Sequence, residues 1–244
     1  MRLQVLAAVL GCGAFGAGVA KAGDTVEIES SFSGGIWSTG VTAPHFMNYF
    51  VGYSIPSTPV ERRNYFLFSL ADVSAEVTGA RLKLFLPGGP SLPSGYVSSD
   101  PTETYRVSGS PAPWTAFYDA YSGTATPAML SAMFGTMGAL GPTTYGLTVV
   151  SGDDSGTDII LELSPAAIAD INAALGSMFV VTGRLTDLHL DAPGTPPSEL
   201  VFAYTDIPHP LMPMPRLELD VVPAPAGVLT LATGLLLAGR RRRD

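Results

Sequence analysis

Cysteine is nearly absent: the one thiol, Cys12, lies among the first 22 residues, so the rest of the chain has no disulfide, no cysteine-ligated metal site and no thiol nucleophile. Charge is scarce too, at 14% of residues against 46% aliphatic and aromatic, a balance that favours a packed core over a disordered segment. Cations are scarcest in the middle. Of the 13 Lys and Arg, two precede residue 23 and four form the run Arg240, Arg241, Arg242 and Arg243. Of the 21 Asp and Glu, only Asp244 lies beyond that run, which leaves the body seven cations against 20 acids and a charge near −13. Such a body repels phosphate backbones, so no nucleic-acid partner is expected. Catalytic signatures are missing as well: there is no G-x-S-x-G, no H-E-x-x-H and no Walker pattern. Glycosidases need two carboxylates flanking a bond, and nothing singles out a pair among the many acids. The three histidines, His45, His189 and His209, are scattered.

What is present is clearest at the two ends. Arg2 supplies a basic start, Leu3 to Val19 an apolar stretch, and Ala20-Lys21-Ala22 a small-x-small site, which together read as a secretory signal over residues 1–22 cleaved between Ala22 and Gly23. The competing reading makes Val9-Leu10-Gly11-Cys12 a lipoprotein box. The apolar segment before Cys12 barely reaches the ~7 residues such a region needs. Translocon and signal peptidase are the partners this start implies.

At the other end Val222-Pro223-Ala224-Pro225-Ala226 leads into an apolar run through Gly239, then the four arginines. As a helix, residues 224–239 would span about 24 Å at ~1.5 Å per residue, short of a ~30 Å hydrocarbon core. Arginine snorkelling and local thinning absorb that mismatch. Four consecutive arginines resist translocation, so residues 220–244 read as a C-terminal transmembrane stop-transfer segment in the inner membrane with the body outside. The alternative is an ordinary core helix with a basic cap.

This order of proline motif, apolar stretch and basic end resembles the PEP-CTERM sorting signal of Gram-negative bacteria. With Pro223-Ala224-Pro225 in place of Pro-Glu-Pro, the segment is most similar to the Val-Pro-Leu-Pro-Ala variant class, matching at Val222, Pro223, Pro225 and Ala226. The resemblance implies recognition and removal of the tail by an exosortase. It also implies transient anchoring in the inner membrane, then a place at the cell surface or outside it.

Between the ends, residues 23–219 read as one antiparallel β-sandwich, jelly-roll-like, with one or two short helices. Ala80 to Leu86 alternates with period two, Leu82, Leu84 and Leu86 on one face and Arg81, Lys83 and Phe85 on the other. Further strands are predicted at 25–29, 64–70, 103–107, 145–150, 158–163, 179–185, 199–204 and 217–221, each bounded by Gly, Pro, Ser or Asp. Ser164 as cap, Pro165 in the first turn, Ile168, Ile171 and Leu175 on one face and Gly176 as the stop predict a helix. A second is predicted after Thr126-Pro127, through Met129, Leu130 and Met133, ending before Gly135.

The run Arg63 to Leu70, followed by Val77 to Phe85, resembles the strand signature of secreted DNRLRE-like and carbohydrate-binding-module-like β-sandwiches. That resemblance implies an exported, non-catalytic role at the cell surface or in the extracellular polysaccharide matrix. A carbohydrate-binding module and a secreted hydrolase are the alternatives. Trp37, Trp114, Phe117, Tyr118 and Tyr121 lie in Gly- or Pro-rich stretches read as loops, where Trp114 and Trp37 are candidate glycan contacts; otherwise they close the ends of the core. Asp153, Asp154 and Asp158 crowd one segment, either as a Ca²⁺ site or as a polar hairpin turn. Their spacing does not match an EF-hand loop, which favours the turn.

Overall fold

The structure is a computed structural model that describes residues 23–42, 49–54, 60–89, 92, 94–98, 100–137, 143–188, 198–202 and 213–222. The signal segment through Ala22, the motif residues Pro223 to Ala226, the expected transmembrane helix, Arg240 to Arg243 and all three histidines lie outside them.

Among the described residues ten strands form the body: β1 (Asp24–Trp37), β2 (Val51–Ser54), β3 (Val60–Ser69), β4 (Val77–Phe85), β5 (Thr102–Ser108), β6 (Thr144–Ser151), β7 (Asp158–Glu162), β8 (Met178–Leu185), β9 (Ser198–Val201) and β10 (Arg216–Val221). Three helices join them: α1 (Trp114–Ser122), α2 (Pro127–Thr136) and α3 (Pro165–Ala173). All ladders are antiparallel, in the order β6-β5-β8-β3-β1-β10-β4-β7, with β2 and then β9 continuing from β3. The hinge of this path is β1. Its first half pairs with β10, its second half with β3, and the register shifts between Ser30 and Phe32 where it passes from one to the other. A bulge adds local twist and bend, which lets one strand serve both halves of a folded-over sheet.

Period-two burial explains why the halves close on each other. Phe66 and Phe68 of β3, Leu82 and Leu84 of β4, Val107 of β5, Val181 of β8 and Leu217 and Leu219 of β10 all belong to one buried cluster. The free ends of the path, β6 and β7, are bridged beside Ser164, whose N–H donates to Tyr145 O (2.7 Å) and whose hydroxyl donates to Thr144 O (3.1 Å). The sheet is therefore nearly closed.

The alternate residues of β3 face outward into a second cluster. Tyr65 and Leu67 meet Phe117 and Ala120 of α1 and Leu130 and Met133 of α2. The outer face of the other half is instead charged, with Arg81, Lys83 and Arg216 paired to Glu27, Asp158, Glu162, Glu218 and Asp220.

Both predicted helices form. Ser164 caps α3 by accepting the Ala167 N–H (3.4 Å), and Gly176 takes φ 77° just beyond it. Asn172 clamps α3 to β4 through both the N–H and the carbonyl of Val77 (2.9 and 2.8 Å), and Tyr145 reaches it from β6 by donating to Asp170 (2.6 Å). Thr126 caps α2, which runs through Gly135 to Thr136 rather than stopping before the glycine. Arg63 satisfies carbonyls at its far end, Phe134 O and Met137 O, both at 2.7 Å.

Two differences from the sequence reading have local causes. The Trp114 to Tyr121 stretch is helix α1, not loop: it has no side-chain cap, and Pro113 before it reads as punctuation. The Asp-rich turn after β6 is not a hairpin, since β6 and β7 are not neighbours in the ladder and the turn carries the chain from one half of the sheet to the other.

Candidate functional site

Helix α1 stands on the outer face of the helix-bearing half, and its sequence gives it two faces. Phe117 and Ala120 are buried, with the Phe117 ring 5.3 Å from Tyr65. Trp114, Tyr118 and Tyr121 follow at i, i+4 and i+7, a single stripe centred about a quarter-turn round the helix from Phe117 and Ala120. Trp114 is 39% exposed and Tyr118 43% exposed, a large aromatic surface for a folded chain. The stripe is braced from below. Phe32, at the β1 bulge, packs edge-on to Tyr118 (5.2 Å) and tilted against Tyr121 (4.9 Å).

Polar groups gather at the C-terminal end of this stripe. Gly123 ends α1 at φ 75°, its N–H donating to Asp119 O. Thr124 donates to the Asp119 carboxylate (3.2 Å) and shares a 2.9 Å hydroxyl contact with Ser122. Flat apolar rings beside hydroxyls and a carboxylate match the alternating C–H and O–H surfaces of a sugar. No group of three His, Cys, Asp or Glu side chains placed to hold a metal ion occurs among the described residues.

The other candidate residues fall elsewhere. Trp37, at the end of β1, packs on Phe50 (5.5 Å), and the buried Arg62 guanidinium lies 5.4 Å from the Trp37 ring and 3.8 Å from that of Phe50. Desolvation lowers the Arg62 pKa to about 10, and the aromatic faces offset part of the cost of burying its charge. Trp37 is thus a wall of that arginine site, and no contact joins it to Trp114 among the described residues. The aspartates do not converge. Asp154 accepts from the N–H (2.8 Å) and the hydroxyl (2.9 Å) of Ser151, while Asp158 pairs with Arg216. Gly23 and Val222 mark the limits of the described body, and Val222 N–H donates to Glu76 O (2.9 Å).

One cluster was missed from the sequence. Glu103, on the inward face of β5 with Tyr105 and Val107, is 1% exposed, and the wholly buried Glu199 of β9 raises its pKa further after desolvation. Ser98 donates to Glu103 (2.7 Å), and burial together with the Glu103 charge pushes the nearby Tyr96 hydroxyl up to about 12. An acid at a core position of an alternating strand is the signal that marks it. No family model and no curated protein matches the chain.

Proposed function

We propose that this chain is an exported, non-catalytic protein of the cell surface or extracellular polysaccharide matrix, with a jelly-roll-like β-sandwich body sorted by an exosortase through Val222 to Ala226. The carrying observation is that the segments next to the two expected processing points lie side by side in the sheet. Gly23, the residue after the expected signal cleavage, packs against the Val221 carbonyl, and Asp24 pairs with Val221. Val222, the first residue of the motif, donates its N–H to Glu76 O. Removal of residues 1–22 and of those after Ala226 takes none of the described strands, which supports the reading that both ends are processed.

A second reading, that the body contacts glycan directly, is favoured by the exposed Trp114 and Tyr118 on α1. Exported placement is tested by adding protease to intact host cells: the body is digested if it lies outside the inner membrane and accessible, and is protected if it stays in the cytoplasm. Direct contact is tested by glycan retention, which falls at least tenfold with Trp114→Ala and is unaffected if α1 plays no part.

A further inference from the structure

The short strand β9 lies at the end of its branch of the sheet. It pairs with β2 over four residues and touches the segment before β5 through the Val97–Leu200 bridge, whose two N–H donations are each 2.8 Å. Directly after it the buried Phe202 takes φ 60°, and it is the only non-glycine residue with positive φ among the described residues. That conformation is costly for a bulky side chain and persists only where the surroundings impose it. Here the rings of Tyr49 (5.7 Å) and Tyr105 (5.2 Å) do so.

One residue along from the bridge on either side lie Ser98 and Glu199. Ser98 donates to the buried Glu103 of β5 (2.7 Å) and is the only hydrogen-bond donor to that carboxyl among the described residues, while Glu103 Oε2 is buried with no partner there. Desolvation first, then the charges of Glu199 on β9, Asp100 before β5 and Asp187 after β8, raise the Glu103 pKa, against the lowering by the Ser98 bond. These three acids have further interactions of their own. Val150, opposite Glu103 on β6, is apolar, and burial with the Glu103 charge pushes the Tyr96 hydroxyl up to about 12, so neither brings a cation.

A buried charge without a cation beside it is far more costly than the neutral acid. Ionising Glu103 also sets a second negative charge against Glu199. Moving β9 outward separates the two, and the same movement releases Phe202 from its strained backbone. Two independent strains therefore favour one motion.

We propose that β9 is a latch: it stays on β2 while Glu103 keeps its proton, and it detaches when that proton leaves. This goes beyond the surface role proposed above and does not depend on it. A proton held more tightly in the closed form than in the open one stabilises closure at low pH, and that contribution is lost as pH rises through the raised value. The latch is shut in acid and opens above the ordinary carboxylate range. Such an opening is local, since it breaks the contacts of one short strand and leaves the rest of the ladder paired. It uncovers the Tyr49 and Tyr105 rings and takes from β2 its β9 partner.

The test follows backbone hydrogen exchange of the full-length chain by mass spectrometry from about pH 5 to 8, each rate corrected for intrinsic exchange. Protection of Glu199 to Val201 is expected to fall by about tenfold or more across this range, while that of β4 and β10 falls by less than about threefold. Glu103→Gln removes the fall in β9. An equal fall in all three strands, no fall in β9, or a fall that survives in Glu103→Gln overturns the proposal. Should that variant not fold, carboxyl-carbon NMR of the wild type decides: the Glu103 titration shares its midpoint with the opening of β9, and midpoints more than about one pH unit apart overturn the latch.

Discussion

Glu103 shows how one residue sets a pH response. Its pKa is raised by burial and by Glu199, so its proton is held more tightly in the folded state than in the unfolded one. Such a carboxyl contributes stability that is full below its unfolded-state pKa and is lost as pH rises through the folded value. Glu103→Gln is therefore expected to flatten the fall in Tm above the ordinary carboxylate range and to raise Tm near neutrality. Thermal melts of both proteins from about pH 4 to 8 check this, and parallel curves contradict it. Gly183 is a residue of another kind. A Cβ there would meet the Tyr105 hydroxyl at 2.0 Å and Asn64 Oδ1 at 2.4 Å, the two groups that share a buried 2.9 Å hydrogen bond. Gly183→Ala is predicted to cost about 1–3 kcal/mol, the usual range for overpacking, as measured by denaturant melts.

At the scale of elements, periodicity made strands legible wherever one face was dry and the other wet. β4 is the clear instance, with Leu82 and Leu84 inside and Arg81 and Lys83 in the charged outer network. The second half of β1 was not legible, because Ser33, Gly34 and Gly35 carry no alternation, and its strand conformation comes from pairing with β3. Helix α1 was hidden for the opposite reason: its aromatics were all visible, but without a cap their spacing did not announce a helix. Consequently Phe117 and Trp114 looked alike in sequence, and the structure separates them. Phe117→Ala is expected to cost about 3–5 kcal/mol through the cavity it leaves over Tyr65, whereas Trp114→Ala stays within about 0.5 kcal/mol. Denaturant titration of the two variants distinguishes them, and equal losses would contradict the two-faced description of α1. Arg63→Leu is expected to cost about 3 kcal/mol or more, because it strands Glu61 in a site only 13% exposed and uncaps α2.

For the whole molecule, the folded-over sheet follows from β1 serving both halves, and that topology brings the first strand beside the last. The pairing of Asp24 with Val221 places the first and last described strands side by side, while α1 sits on the outer face of the helix-bearing half. A molecule arranged this way can be held or released at one corner while presenting that face. Composition foretold a packed core and the acidic body, and alternation foretold the strands. The approach of Arg63, Arg106 and Arg184 on neighbouring strands could not be foreseen, since they are 43 and 78 residues apart along the chain and meet only through strand order.

The central claim is processing at both ends of the fold, and the intact mass of the protein recovered from the surface or medium of its host tests it directly. The predicted product begins at Gly23 and ends between Val222 and Ala226. A product that still carries Arg240 to Asp244 contradicts sorting and makes the tail a permanent anchor.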